Sequence, residues 1–279
     1  MKRKQTAFTC VRYLLLIIIM IFLLFPIYWM VVTALKTNME AYLYPPTFLP
    51  EEPTIASFKS LLTTNNQFFV YYKNNFVVAG FAAMFSTLIA LTSGYALSRF
   101  HFKWNKWILA ALMSSQMFPV VSRMISLYGL LGNVNLINTR TGLILAVVAA
   151  QVPFCVMLMS SFYDSIPREL EEAATVDGAK RFATLFRVIV PLVKPGIVAV
   201  GIYSFLMTWD DYLHAATLIQ TDSLRTLSVG IALRYLGELS YDWSLVNAIS
   251  VVGALPMVLL FIFFQKYMVK GLVAGAVKG

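Results

Sequence analysis

Four long stretches without a charged residue limit the structures that this chain can form. They cover residues 13–35, 74–98, 141–163 and 243–265, and each is at least 23 residues long. About 20 apolar residues in a helix are enough to cross the hydrocarbon core of a bilayer. Each stretch is therefore long enough to form a membrane-spanning helix.

Two further apolar stretches are interrupted. Residues 107–131 contain Pro119 and Arg123, and residues 196–219 contain Asp210 and Asp211. Lipid offers the backbone no hydrogen-bond partners, so a spanning segment must be helical, and protein or water has to cover any break in it. The pattern predicts an all-α, polytopic membrane protein with six transmembrane helices.

The composition excludes a single soluble domain. The chain is 59% hydrophobic and 13% charged, whereas soluble domains average about 45–50% apolar and about 25% charged residues. The net charge of +9 does not indicate nucleic-acid binding, because the basic residues flank the apolar stretches and form no continuous stripe.

The distribution of basic residues predicts the orientation. With the N-terminus inside, 15 of the 22 Lys and Arg residues lie on the cytoplasmic side, six lie outside, and Arg123 lies within a span. An excess of Lys and Arg is typical of cytoplasmic connections. We therefore expect both termini to lie in the cytoplasm.

These assignments divide the chain into segments. Residues 1–12 form a cytoplasmic N-terminus, and residues 13–35 form the first span. This apolar stretch is longer than the apolar core of a signal peptide, which has about 7–15 residues, so we expect an uncleaved span. Residues 36–73 lie outside and contain four prolines. This segment fits an ordered cap, an edge contact for an outside partner, or a solvated linker. The remainder is predicted to be a membrane core over residues 74–271, with a cytoplasmic connection over 164–195, and a tail over 272–279.

The 164–195 connection has the pattern of two short helices joined by a hinge. Pro167 suits a first helical turn, and Glu169, Glu171 and Glu172 place negative charge at the positive end of the helix dipole. Gly178 tolerates the left-handed conformation that ends many helices. A second helix is expected from residue 180 to residue 191.

The first of these helices has a small apolar patch. A short amphipathic helix of this kind fits a groove on another protein, and a helix lying on the membrane surface fits equally well. Composition alone leaves both interpretations open. The patch consists of Leu170, Ala173, Ala174 and Val176.

The spacing within this connection favours the first interpretation. Glu172-Ala173-Ala174 is followed by three residues, Gly178, nine residues, and Val188-x-Val-Pro. This arrangement resembles the Glu-Ala-Ala loop of ABC-importer permeases, in which isoleucine and leucine stand at the two aliphatic positions occupied here by valine.

Other segments resemble the carbohydrate branch of that family. These segments are residues 94–100 (GYALSRF), the pair Phe205-x-x-x-Trp209, and the tail over residues 264–279. The resemblance covers nearly the whole chain and is strongest to the shorter permease of maltose-type importers. It implies the type I ABC-importer permease fold.

The resemblance also implies partners. They are a second permease subunit, two copies of an ATP-binding cassette ATPase, an extracytoplasmic solute-binding protein and a sugar, all at a bacterial or archaeal cytoplasmic membrane. One set of residues would dock the ATPase. The tail would contact the ATPase through a second set of residues. The docking set is Glu172, Ala173, Ala174, Asp177 and Gly178, and the tail set is Gly275, Lys278 and Gly279.

The chain itself is not expected to be an enzyme or to bind a cofactor. The sequence contains no Gly-x-x-x-x-Gly-Lys-Ser/Thr loop for nucleotide phosphates and no His-Glu-x-x-His zinc motif. ATP would therefore be hydrolysed by the partner subunit. The missing zinc motif also weighs against an intramembrane enzyme.

Polar residues within the interrupted spans are candidates for the substrate path, because an acid at membrane depth usually faces a cavity or a partner. The family commonly has asparagine where Asp210 stands. Asp210 therefore either lines the path or pairs with Arg123. Two neighbouring aromatic rings are candidates for stacking on a sugar. The full candidate set is Gln116, Arg123, Trp209, Asp210, Asp211 and Tyr212.

Three functions remain open on these grounds. The first is a permease subunit of an ATP-dependent, binding-protein-dependent importer of an oligosaccharide or related polyol. The second is an ABC-importer permease for a solute that is not a sugar. The third is a proton-coupled secondary carrier that uses Asp210 and Asp211 as a relay.

Overall fold

The computed structural model describes residues 2–63, 66–100, 103–236 and 241–276, and helices dominate all of these ranges. The helices in chain order are α1 (Lys2–Ala34), α2 (Asn38–Ala41), α3 (Ala56–Thr63), α4 (Asn66–Arg99), α5 (Asn105–Ser114), α6 (Val120–Asn133), α7 (Arg140–Asp164), α8 (Glu169–Val176), α9 (Arg181–Ala183), α10 (Val190–Leu192), α11 (Lys194–Trp209), α12 (Leu213–Leu218), α13 (Leu227–Gly230) and α14 (Trp243–Ala276). Short 3-10 turns lie at Ser115–Met117 and Asp222–Leu224, and π-helical stretches lie at Thr184–Ile189 and Ile231–Tyr235.

Four of the helices are long and apolar enough to cross a membrane, and they coincide with the four uncharged stretches. They are Val11–Ala34, Gln67–Arg99, Arg140–Asp164 and Trp243–Gln265. Two bent helix pairs raise the number of candidate spans among the described residues to as many as six. The predicted all-helical membrane architecture is therefore confirmed, while the count of six and the orientation stay predictions.

The first bent pair is sharper than the sequence suggested. Residues Asn105–Met117 and Val120–Asn133 meet at 101°. Phe118 and Pro119 between them are extended, with ψ 133° at both residues. The residue before a proline is disfavoured in helical geometry, so Pro119 accounts for the break.

The second bent pair corrects the predicted limits of two elements. Arg181–Leu192 and Lys194–Trp209 meet at 76°, so the helix expected to end at residue 191 runs one residue further and then turns. Pro195, in the first turn of α11, lacks the N–H that a continuous helix would need. The span predicted over residues 196–219 is also divided, because α11 ends at Trp209 and α12 begins at Leu213.

The chain forms two compact units, of which the first contains Met1–Phe69 and Ile231–Leu255. The connection after α1, which is predicted to lie outside, contains a buried acid and a buried base. The Glu40 carboxylate accepts hydrogen bonds from the Thr47 hydroxyl at 2.7 Å and the Glu51 N–H at 3.0 Å. Burial alone would raise the pKa of Glu40, but these hydrogen bonds and the charge of Lys36 lower it below its usual range. This part of the connection is therefore ordered, which favours a cap over a solvated linker.

The second unit contains Val70–Gly230 and Pro256–Gly279. Its core forms around α7, whose buried residues belong to two apolar clusters. Helix α4 approaches α7 closely at Gly94, where an added Cβ would lie 3.0 Å from both Met159 Cβ and Ser160 N. The hydroxyl of Tyr163 also donates to the Leu91 carbonyl at 3.0 Å. Helices α4 and α7 therefore form a tightly packed pair.

Candidate functional site

The connection after α7 contains the helix that the sequence singled out. Helix α8 begins at Glu169 and ends at Val176. The N–H of Gly178 then bonds to the Thr175 carbonyl at 3.0 Å, and Gly178 has φ +83°. A residue with a Cβ is strained at that angle. The expected helix end at Gly178 is confirmed.

Most of α8 faces solvent in this chain. Glu172, Ala173, Asp177 and Gly178 are exposed, and Ala174 is half-buried. Nothing lies within 4 Å of a Cβ built at Gly178. The five predicted docking residues therefore lie together on an accessible part of the chain.

Exposed apolar side chains surround these residues. Val176 is 87% exposed and Phe182, on α9, is 79% exposed. Leu170 and Phe186 are also exposed. Uncovered aromatic and aliphatic groups of this kind are characteristic of interaction surfaces. The two phenylalanines were not predicted from the sequence, although their spacing of four residues along a helix was a usable signal. We call this set of residues the candidate docking surface: Leu170, Glu172, Ala173, Ala174, Val176, Asp177, Gly178, Phe182 and Phe186.

The opposite side of α8 is attached to the end of α4. Arg99 forms an ion pair with Glu171, and the Tyr95 hydroxyl donates to the second Glu171 oxygen at 2.9 Å. The side chains of Arg99 and Glu171 are only 7% and 17% exposed. From the sequence, Glu171 was expected only to interact with the positive end of the helix dipole. Nothing in the local pattern connects it with Arg99, which is 72 positions away.

The predicted contact by the tail falls at the limit of the described residues. Gly275 lies in the last turn of α14, which ends at Ala276. Lys278 and Gly279 lie outside the described residues. The contribution of these three residues stays a prediction.

The breaks in the two interrupted spans meet near the middle of α7. At the first break, the Gln116 amide donates to the Ala150 carbonyl at 2.9 Å. Next to the second break, the Gln151 amide donates to the Thr208 hydroxyl at 2.9 Å, and the Ser204 hydroxyl donates to Gln151 at 2.5 Å. Broken helices that meet at mid-membrane depth form the substrate sites of many transporters. Exposed Gln116 therefore stays a candidate for the substrate path. Buried Gln151, with both ends of its amide bonded, instead joins α7 to α11.

The two acids after α11 have different surroundings. Asp211 is engaged, since its carboxylate lies 2.7 Å from His214 Nδ1 and accepts the Ala215 N–H at 3.3 Å. These two contacts hold the start of α12. Asp210 is exposed, and no ion pair joins it to Arg123 in the described part of the chain. Arg123 instead has a buried Nε without a hydrogen-bond partner.

The two aromatic candidates also differ. Tyr212 is 40% exposed, whereas Trp209 is 4% exposed. The Trp209 ring packs edge-on against Phe76 at 4.7 Å between centroids and stacks on Phe205 at 5.5 Å. Neighbouring rings thus cover the Trp209 surface in this structure, and a sugar-stacking role for Trp209 stays a prediction.

The helical fold, the broken spans and the exposed helix between them define a membrane transport subunit. The chain belongs to the family described as binding-protein-dependent transport system inner membrane component, which it matches over residues 86–273.

Two curated relatives agree with this family assignment. The chain is 38% identical to the sulfoquinovosyl glycerol transport system permease protein SmoH of Agrobacterium fabrum, covering 92% of this chain and 89% of that protein. It is 31% identical to the trehalose/maltose transport system permease protein MalG of Thermococcus litoralis, covering 94% of each.

A solved structure supports the fold. A chain of a bacterial ABC transporter involved in the import of the acidic polysaccharide alginate superposes with a TM-score of 0.83, covering 95% of this chain and 98% of that chain, at 22% identity. The fold is that of an ABC-importer permease, as the sequence predicted.

Proposed function

We propose that the chain is one of two permease subunits of an ATP-dependent sugar importer in a bacterial or archaeal cytoplasmic membrane. The observation that carries the proposal is the exposed α8, in which Glu172 and Gly178 stand at the family spacing on an uncovered surface. In the proposed complex, two ATPase subunits bind at the candidate docking surfaces of the two permeases. A solute-binding protein delivers the sugar from the outside. The ATPases lie in the cytoplasm, so α8 must also lie there, and with six spans both termini lie on that same side.

A sugar as cargo is supported by the relatives and by the chemistry of the candidate path. The names of the relatives specify sugars or a sugar glycoside. The candidate path side chains Gln116 and Asp210 carry an amide and a carboxylate group, which hydrogen-bond to hydroxyls. Exposed Tyr212 supplies an aromatic face beside them.

Purified permeases reconstituted with the ATPase and the binding protein should take up an oligosaccharide only when ATP is present. Maltotriose, raffinose and a uronic-acid oligosaccharide would be tested as radiolabelled solutes. Uptake should persist when a protonophore collapses the proton gradient. Vesicles that lack the ATPase serve as the control and should show none.

One observation favours the proton-coupled carrier as a second candidate. Asp211 and buried His214 lie 2.7 Å apart within a predicted span, and such pairs form proton relays in other carriers. Uptake by the permeases alone, abolished by the protonophore, would establish that function and contradict the first.

Replacing Asp210 with asparagine or alanine should lower uptake while the ATPase remains bound. Asp210 caps the C-terminal end of α11, where a negative charge is unfavourable by about 0.3–1 kcal/mol. Removing the charge should therefore leave the unfolding temperature unchanged or slightly raised. Initial uptake rates and thermal unfolding would be measured together, with Glu52→Gln as an exposed-acid control. Uptake equal to that of the parent would contradict a role for Asp210 on the path.

A further inference from the structure

The end of α4 is bound to the segment before and within α8 by a group of polar contacts. The Ser98 hydroxyl donates to Asp164 at 2.6 Å, and Arg168 donates to the Ser98 carbonyl at 3.1 Å. Arg99 donates to the Ile166 carbonyl at 3.0 Å in addition to its ion pair with Glu171. The segment between α7 and α8 is thereby attached to α4 through Asp164, Ile166 and Arg168.

Glu171 differs from the other acids in its helical turn. Arg99 holds one of its oxygens and the Tyr95 hydroxyl holds the other, so the carboxylate is fixed in orientation as well as in position. Glu169 and Glu172 are exposed and form no hydrogen bond or ion pair through their side chains in the described part of the chain. The sequence places three acids in one turn, and the structure attaches only the middle one to α4.

Helix α4 reaches from this attachment to the neighbourhood of the candidate path. The Asn75 amide donates to the Trp209 carbonyl at 3.0 Å, and Phe76 packs on the Trp209 ring. Asn75 and Arg99 are separated by 24 residues of one helix, or about 36 Å at the helical rise of 1.5 Å per residue. The end of α11, next to Asp210, is therefore in contact with the same rigid helix that holds α8.

We propose that Glu171, Arg99 and Tyr95 form the connection through which a movement of α8 is passed along α4 to the end of α11. They are positioning residues, since none of them touches the candidate path. The inference rests on the proposed function, because it takes the movement of α8 to be driven by a bound ATPase. The competing explanation is that the three residues only stabilise the folded chain.

The experiment uses the assembled transporter with its partner permease and ATPases. A single cysteine at Tyr212, in a chain with Cys10 and Cys155 replaced, reports the surroundings of the end of α11. Its labelling rate by a water-soluble maleimide is compared without nucleotide and with MgATP plus vanadate. Bound ATPase per permease is measured on the same samples.

The parent should show a nucleotide-dependent change in labelling rate. Glu171→Gln and Arg99→Gln should retain bound ATPase and lose most of that change. The exchanged pair, Arg99→Glu with Glu171→Arg, should recover part of it. Glu169→Gln, which removes an equal charge from the same turn, should behave as the parent.

Other results would overturn the connection. A full nucleotide-dependent change in Glu171→Gln and Arg99→Gln would show that the ion pair transmits nothing. Loss of bound ATPase in both would assign them to docking or to folding. An exchanged pair that assembles but recovers none of the change would show that the ion pair itself is not the connection. A parent chain that binds no ATPase would instead overturn the proposed function itself, and the connection with it.

Discussion

Replacing Glu172 with lysine should separate the ATPase subunits from the purified transporter. The carboxylate is exposed and makes no contact within the described part of this chain, so the substitution should leave α8 folded. Truncating one partner of a buried interface charge pair costs about 2–5 kcal/mol, and reversing the charge costs at least as much. We therefore expect binding to weaken by a factor of about 30 or more.

Co-purification through a tag on this chain measures the effect as ATPase per permease. Glu169→Lys is the matched control, because it places the same charge in the same helical turn. Gly178→Pro should give the same loss as Glu172→Lys, since proline fixes φ near −65° and the structure requires +83°. Retention of ATPase in both Glu172→Lys and Gly178→Pro, with normal uptake, would contradict the docking role of α8.

Replacing Gly142 with alanine should destabilise the chain strongly for the size of the change. A Cβ at Gly142 would lie 2.0 Å from the Leu136 carbonyl oxygen. That oxygen cannot move freely, because it accepts the Thr139 hydroxyl at 2.7 Å, and the Thr139 hydroxyl in turn caps the Gly142 N–H at 3.0 Å. Overpacking of this kind costs about 1–3 kcal/mol or more.

Thermal unfolding in detergent, followed by size-exclusion chromatography, provides the measurement. We expect the midpoint to fall by about 2–10 °C, the range that such a cost implies for a chain of this size. Gly129→Ala is the matched control, because Gly129 is also helical and nothing lies within 4 Å of its added Cβ. Its midpoint should be unchanged or higher, since alanine is favoured over glycine in a helix by about 1 kcal/mol. Equal midpoints for the two variants would contradict the packing argument.

The sequence predicted those features that depend on neighbouring residues. Length and lack of charge located the four uninterrupted helices, and Gly178 located the end of α8. Pro119 indicated a break in its span, but the 101° bend depends on how α5 and α6 pack. A local pattern contains no information on such an angle.

The site was predictable only in part for the same reason. The spacing identified Glu172, but which of three acids in one turn meets Arg99 depends on the rotation of α8 relative to α4. Trp209 was assigned a sugar-stacking role from its residue type alone. Its burial beneath Phe76 and Phe205 comes from contacts with distant parts of the chain. The cargo depends on shapes and partners that a single chain does not encode.

The neighbouring acids Glu171 and Glu172 face different binding partners. Glu171 is committed to this chain's own Arg99, whereas Glu172 is open to whatever binds from outside. Under the proposed docking, a mutation at Glu171 can be compensated within one gene, whereas a mutation at Glu172 requires a change in the gene of the ATPase. Importers that shared one ATPase would then have to keep the surface around Glu172 alike, while their contacts at Glu171 could differ.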